Sequence, residues 1–498
     1  MIQFRTLFLS VFGLFMMACA REEIIVSEIS VQDTPIGMQA QKGRLRLKFK
    51  SRFAGKAEQA VYTRAGTGDI RIVSMKRLFP FAGKFEERTR KAGLHLWYEV
   101  EFDEQTPVTR ALALLGDTTE IEIAEPVYII RNTGGEGTVP VRSAGERNSD
   151  GTAPFNDPEL SRQWHYSNTG ELPNSVAGAD INLFAAWQKN QGSREVIVAV
   201  IDGGIDYRHE DLTGNVGNPA ELFGEPGVDD DGNGYIDDIY GWNFINGTNQ
   251  IEADDHGTHV AGTIGAENND GVGVCGIAGG HGGNTGVWLL SCQLFGTIDG
   301  REVSASFPEM IKYAADAGAV IAQNSWGHDN ITYLPRADQE AIDYFIQYAG
   351  VDERGEQTGP MKGGVVIFAA GNENKDYRTY PAAYEKVVSV AAYAPDYKKS
   401  WYSNFADWVD IAAPGGTYGY GRKYNGECPV YSTLPDNQYG YMQGTSMACP
   451  HVSGIAALIV SQFGGPGFTP EKLLAHLYQG TRDIDIYNPE YAGRLGIG

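Results

Sequence analysis

Val198-Ala199-Val200-Ile201-Asp202-Gly203-Gly204 is an uninterrupted apolar run that ends in an acid and two glycines. Such a run reads as a strand buried on both faces of a parallel sheet, because a strand with one solvated face would alternate. The run begins at Val196, and similar ones follow at Val320–Ala322, Val365–Ala370 and Val387–Ala392. Between them, Phe307–Ala317 and Asp338–Tyr348 carry a helical period. Alternating βα units predict a doubly wound α/β domain from residue 156 to 498. In such sheets sites lie beyond the carboxyl ends of the strands, which is where Asp202 falls. Asp before Gly is also ordinary turn chemistry, so this segment gains meaning only beside others.

Three further segments carry chemistry. Asp255-His256-Gly257-Thr258-His259-Val260-Ala261-Gly262 opens a helix of small and apolar residues. Its two histidines, three apart, could ligate a metal, but no third ligand stands nearby. Gly444-Thr445-Ser446-Met447-Ala448-Cys449-Pro450-His451 opens a long apolar helix running towards Gln462. A serine at a helix start has an exposed Oγ and backbone N–H groups able to hold an anion. Phe368-Ala369-Ala370-Gly371-Asn372 ends another buried strand in a side-chain amide.

In this order the segments resemble the Asp, His and Ser motifs of the subtilisin-like (subtilase) serine proteases, with the oxyanion segment between His and Ser. The resemblance covers roughly residues 156–498. It implies that Ser446 is the nucleophile, His256 the general base and acid, and Asp202 the group that orients His256. Asn372 and the Ser446 N–H would hold the oxyanion. Asn324-Ser325-Trp326-Gly327 matches the strand that pairs with substrate backbone, so Ser325, Trp326 and Gly327 are expected to bind polypeptide by strand addition. Ala369, Ala370 and Gly371 would wall the S1 pocket and Thr379 would lie near its base. With no charged residue placed there, apolar or medium-sized P1 side chains are expected. His259 and His451 match neighbouring structural histidines. The rival from another class is a catalytically silent surface lipoprotein binding peptide or carbohydrate. All four motif residues survive here, which favours the enzyme.

Calcium is the expected cofactor, in a structural role, with no catalytic metal. Val228-Asp229-Asp230-Asp231-Gly232-Asn233-Gly234-Tyr235-Ile236-Asp237-Asp238 follows the EF-hand loop pattern through its ninth position. Asp229, Asp231, Asn233 and Asp237 are its side-chain candidates. Tyr240 stands where the bidentate Glu would be, so the segment reads as a calcium loop inserted in the catalytic domain. The resemblance implies a second site: Asp157, Asp211 and Asp270, completed by Asn268, Val272 and Val274.

Residues 1–19 read as an export signal, with Arg5 and then an apolar core from Leu7 to Ala18. Met16-Met17-Ala18-Cys19 is similar to a bacterial lipoprotein signal, which implies lipidation at Cys19, and residues 20–40 would be a tether. This places the protein at a bacterial outer membrane or cell surface, held only by its lipid. No apolar run approaches the ~20 residues of a spanning helix. Four cysteines remain, Cys275, Cys292, Cys428 and Cys449, with three possible pairings or none.

Gly43–Lys50 and Leu94–Phe102 alternate as half-buried strands, a helix is expected over Pro107–Leu115, and a strand from Glu120 to Ile130. Residues 41–131 therefore form a small α+β unit, and 132–155 a polar linker. Subtilases are commonly made with an α+β pro-region that assists folding and blocks the cleft, so this unit is the expected intramolecular partner, released by self-cleavage in the linker. The net charge of −23 is unevenly spread: residues 41–150 carry 19 Lys+Arg against 15 Asp+Glu, and 151–498 carry 19 against 44. That acidity argues against nucleic-acid binding and suits a basic unit docked on an acidic one.

Overall fold

In the computed structural model of the chain, which describes residues 40–67, 70–116, 118–132, 139–140, 153–418 and 428–498, Ile197–Asp202 is an interior strand of a seven-stranded sheet. The spatial order is Ile411–Pro414, Val388–Tyr393, Val365–Ala369, Ile321–Asn324, Ile197–Asp202, Trp288–Gln293, Gly241–Asn243. Every pairing is parallel. The continuous apolar runs are explained by helices on both faces. Val198 and Val200 join one core with residues of the Asp255–Gly265 and Thr445–Phe463 helices. Ala199 and Ile201 join the other with the Phe307–Asp316 and Arg336–Tyr348 helices. Trp288–Gln293 and Ile321–Asn324, which follow in sequence, pair on opposite sides of Ile197–Asp202. The crevice at its carboxyl end is therefore a topological switch point, and the doubly wound α/β class stands.

One expectation is corrected here. The Thr445–Phe463 helix is long and apolar enough, by length and composition, to cross a bilayer, although 72% of its apolar window is buried inside the fold. It crosses the sheet as a core helix, which is why its composition is membrane-like.

The N-terminal residues form an antiparallel sheet in the order Ile72–Arg77, Trp97–Phe102, Ala40–Phe49, Ile121–Tyr128. Leu45, Leu47, Phe49, Val100 and Phe102 pack on one face with Ala111 and Leu115 of the Val108–Gly116 helix. Two expected strands are shorter than their patterns. Leu94–Leu96 is a 3₁₀ turn after Gly93, whose φ is +75°, because Leu94 and Trp97 turn into the core shared with the Phe307–Asp316 and Arg336–Tyr348 helices. The last strand ends at Tyr128, and Ile130–Asn132 leaves the sheet for another partner. The expected linker contributes a strand of its own, Val139–Pro140. Cys19 and the whole of 1–39 lie outside the described residues; the other four cysteines are buried thiols.

The second face of the N-terminal sheet is charged, buried and paired with the α/β part. Arg46 is 2% exposed and donates to Asp338 at 2.9 Å and Ser306 Oγ at 3.0 Å. Lys48 and Trp97 Nε1 both reach Glu340, at 2.8 and 2.9 Å. Arg88 lies between Asp316, 2.6 Å away, and the Tyr344 hydroxyl, 2.7 Å away. Glu125 accepts from Arg336 N and Ala337 N at 2.8 and 3.1 Å. It thereby caps the Arg336–Tyr348 helix, whose own N-cap, Pro335, has no side chain able to do so. Removing one partner of such a buried pair strands the other. Asp338→Ala is accordingly expected to cost about 3–5 kcal/mol, seen as a lower urea midpoint and faster hydrogen exchange across Ala40–Phe49.

Candidate active site

Asp202 is the last residue of its strand and fully buried. Its Oδ1 lies 2.7 Å from His256 Nδ1 and also takes the Gly203 N–H at 2.7 Å. Glycine makes this approach possible. A Cβ on Gly257 would stand 2.5 Å from Gly203 O, and one on Gly204 would stand 1.8 Å from Glu252 O. The helix start thus rests directly on the turn backbone. Asp254, which sequence reasoning missed, is the N-cap: it accepts from His256 N at 3.0 Å and Gly257 N at 2.9 Å. Its signal was an acid just before a helix start.

Burial pushes the His256 pKa down, but the charge and hydrogen bond of Asp202, then the charge of Asp254, outweigh it, and the net direction is up. Asp202, Asp254 and His256 have oxygen and nitrogen atoms within 4.8 Å of one another, a spacing that would suit a cation. The ring is already committed through Nδ1 to Asp202, which leaves Nε2 as the edge that can take a proton.

Ser446 is the second residue of the Thr445–Phe463 helix. Its Oγ donates to Ser325 O at 3.3 Å, and Ser325 Oγ donates back to Ser446 O at 2.9 Å. Pro450 explains the second bond. It stands four residues on and has no N–H for Ser446 O, so Ser325 supplies the missing donor. Gln323 holds Ser325 Oγ in place at 2.8 Å. Asn372 Oδ1 accepts from both Thr445 N and Thr445 Oγ1 at 2.9 Å, which fixes Nδ2 as the amide's donor edge beside the helix start.

Gly327, Ala369, Ala370, Gly371 and Thr379 line one cavity of about 150 Å³. Thr379 Oγ1 donates to Ala370 O at 2.8 Å. The expectation of no charge there is corrected: Glu373 and Arg378, both from the loop after Gly371, also line it. Ser325 and Trp326 are fully buried. The Trp326 ring packs on Phe307 and Phe368, so its backbone alone faces the cleft.

That backbone is already paired. Ile130–Asn132 lies antiparallel on Trp326–His328, with Asn132 opposite Trp326 and Arg131 opposite Gly327. Val139–Pro140 lies antiparallel on Gln438–Met442. One wall begins just after Ser325, which touches Ser446; the other ends four residues before Ser446. The segments before and after residues 133–138 are thus each paired with a strand close to Ser446, one through Ser325 and one along the chain.

Among the expected calcium residues, Asp157, Asp211 and Asp270 come together. Asp157 Oδ2 takes the Asn269 N–H and Asp211 Oδ2 the Val274 N–H, at 2.8 and 2.7 Å. Asp270 Oδ1 takes the Val272 N–H at 2.8 Å, and the Asn268 amide bridges Gly276 N and Gly280 O. Asp157 Oδ1 and Asp211 Oδ1 are buried without a hydrogen-bond partner. Burial pushes Asp157 up to about 6 and Asp211 well up, with repulsion from Asp270 adding to both. These residues fit a cation with oxygen ligands. In the acidic loop the arrangement differs from the EF-hand expectation. Asp229 spends its carboxylate on Asn233 N and Gly234 N, and Asp237 on Gly227 N. Asp231 instead groups with Glu221 and Asp238, which the loop pattern did not point to.

His451 is a core residue with both ring nitrogens paired, and His259 one whose Nδ1 is buried without a partner. His259 Nε2 lies 3.2 Å from Val430 O and Gly440 O, and His451 bridges Met447 O and His165. Burial pushes them down to about 3 and about 4. His256, by contrast, should titrate above the ordinary histidine value near 6.5, and Asp254→Asn should lower that midpoint by removing a negative charge. Nitrogen-15 NMR titration of the ring checks both; an unmoved midpoint contradicts the assigned electrostatics.

A family model described as the subtilase family matches residues 193–493, and one for the N-terminal region of that family matches 55–170. The chain is 34% identical over 279 residues to a thermophilic serine proteinase of Bacillus sp. (strain AK1), covering 56% of this chain and 55% of that protein. It is 30% identical over 278 residues to thermitase of Thermoactinomyces vulgaris, covering 56% and 78%. The chain spans about half the length of most of the curated relatives it matches. Among solved structures, fervidolysin of Fervidobacterium pennivorans is similar over 92% of this chain and 60% of that one, at TM-score 0.57 and 20% identity. The epidermin leader peptide processing protease of Staphylococcus aureus covers 92% and 97%, at 0.54 and 20%. With the catalytic-region model spanning well over half of it, the chain belongs to the subtilase family.

Proposed function

We propose that this chain is an exported, calcium-stabilised serine endopeptidase whose N-terminal unit covers its own cleft until it is cut away. The observation that carries the reading is the Ile130–Asn132 strand, seated like a substrate on Trp326–His328 and leading to Ser446. In the proposed reaction Ser446 Oγ attacks the peptide carbonyl, His256 Nε2 takes its proton and delivers it to the leaving amine, and Asp202 stabilises the imidazolium. Asn372 Nδ2 and the Ser446 N–H receive the oxyanion; losing such a donor costs about 10²–10³ in turnover. Ile130 is 7% exposed and shares a core with Phe307, Trp326 and Leu334. Substrates with an apolar side chain at that position of an extended peptide are favoured on the same grounds.

Self-processing follows from the two strands flanking Ser446: the bond cut is one of those joining Asn132 to Val139, a narrower range than the 132–155 linker. The anionic sites supply the calcium reading, with Asp157, Asp211 and Asp270 as ligands and no role in the reaction. The chain is tethered through a lipid at Cys19, and cleavage frees the enzyme from that tether unless the two parts stay associated.

A fluorophosphonate probe should label Ser446 in the processed protein, and labelling elsewhere or none contradicts the mechanism. N-terminal sequencing of the mature form should begin within 133–139, and Ser446→Ala should abolish that form in a protease-free preparation. Excess EDTA should lower the melting temperature by several degrees, since each site held at a hundredfold excess over its Kd contributes about 2.7 kcal/mol. An unchanged melting curve removes the calcium reading.

A further inference from the structure

The tip of the acidic loop is gripped by the N-terminal unit. Lys84 N donates to Gly232 O at 2.9 Å. The two segments meet backbone to backbone: a Cβ on Gly83 would lie 2.2 Å from Gly232 O, and one on Gly234 would lie 2.6 Å from Phe81 O. Gly83, Gly232 and Gly234 all have positive φ, +48°, +66° and +101°, so the contact needs glycine for conformation as well as for space.

Directly beneath that tip lie Glu221, Asp231 and Asp238, each contributing an oxygen within 4.8 Å of the others. They are 5%, 9% and 0% exposed. Glu221 Oε1 takes the N–H groups of Asp230 and Asp231 at 2.7 and 3.0 Å, whereas Oε2 is buried with no hydrogen-bond partner. The donors to the other two are neutral. Asn218 and Asn233 amides reach Asp231 Oδ2 at 3.0 Å and Asp238 Oδ2 at 3.4 and 3.3 Å, and the Tyr313 hydroxyl donates to Asp238. Burial, then the charge of Asp238, pushes Asp231 up to about 8; burial, with a contribution from the Glu221 charge, pushes Asp238 up to about 6. Three mutually repelling acids around an unengaged oxygen form a site for a divalent cation with oxygen ligands. Asp231 and Asn233 flank Gly232, so the cage and the grip share one stretch of backbone.

We propose that a divalent cation held by Glu221, Asp231 and Asp238 and the docked N-terminal unit stabilise one another through the Gly232 peptide. This rests on reading the acidic loop as a cation site, names its ligands anew, and adds a coupling between that site and the covered cleft. The ion fixes the loop in the form whose Gly232 O meets Lys84, and by linkage the docked unit tightens the ion by the same factor. Divalent-ion concentration then sets how firmly the cleaved unit stays on the enzyme.

Terbium(III) titration of the full-length Ser446→Ala chain tests this, with luminescence excited through tyrosine, since Tyr313 touches Asp238. The part of the signal lost in Glu221→Gln belongs to this cage; the rest, from the Asp157 and Asp211 site, reports that each variant is folded. Lys84→Pro deletes the N–H donor and Gly83→Ala drives a Cβ into Gly232 O. Both are expected to weaken terbium at the cage by about tenfold and to leave the remaining signal unchanged. If Glu221→Gln keeps the full signal, the cation reading of the loop is overturned. If the cage signal exists but both grip variants bind terbium as tightly as the parent, the coupling is overturned and the cage stands.

Discussion

The contact on which the site depends is the 2.7 Å bond between Asp202 and His256. It joins a strand end to a helix start, two elements that side chains would ordinarily hold further apart. Backbone must touch backbone, and Gly203, Gly204 and Gly257 are the positions where it does. The rest of the site is held by bonds to backbone at the two helix starts. Asp254 closes the helix N-terminus, Ser325 replaces the donor that Pro450 lacks, and Thr445 sets the amide of Asn372. Each does so by satisfying a polar group that burial would otherwise leave unpaired.

The N-terminal unit is held by a different physics. Arg46, Lys48, Arg88 and Glu125 reach across the interface into a surface of opposite character. Desolvating so many charges offsets most of their attraction, so these pairs fix where the unit sits more than they strengthen it. That suits a unit meant to place one strand, Ile130–Asn132, at one position on the cleft edge. The uneven charge of the two halves supplies the long-range attraction, and the buried pairs supply the register.

How much of this was legible in the sequence depended on whether the signal was local. The buried strands announced themselves as apolar runs, and Asp202, His256, Asn372 and Ser446 sat in short ordered motifs, of which the fold joins Asp202 to His256 and Asn372 to the residue before Ser446. The cap on the Arg336–Tyr348 helix was invisible, because its donor group is paired with Glu125, more than two hundred residues away. Glu221 and Asp238 were missed for a related reason. The loop pattern assigns ligands by position along the chain, whereas here a short helix before the loop brings Glu221 back beneath it. The strand at Leu94–Leu96 was misjudged because its alternation served two cores at once: Leu94 and Trp97 in one, Val100 and Phe102 in the other. Glu373 and Arg378 entered the cavity at Gly371 by way of loop geometry that no period describes.

The strand on the cleft edge has one further consequence, which follows from its being part of the same polypeptide. A separate inhibitor leaves its enzyme on dilution, at a concentration set by its affinity. Ile130–Asn132 cannot, since its local concentration is fixed by the length of chain that joins it to the sheet, whatever the amount of protein in solution. Occupation of the edge in the uncut chain is thus first-order and independent of expression level. Only scission turns the problem into an ordinary binding equilibrium, from which the buried charges can be lost to solvent one encounter at a time.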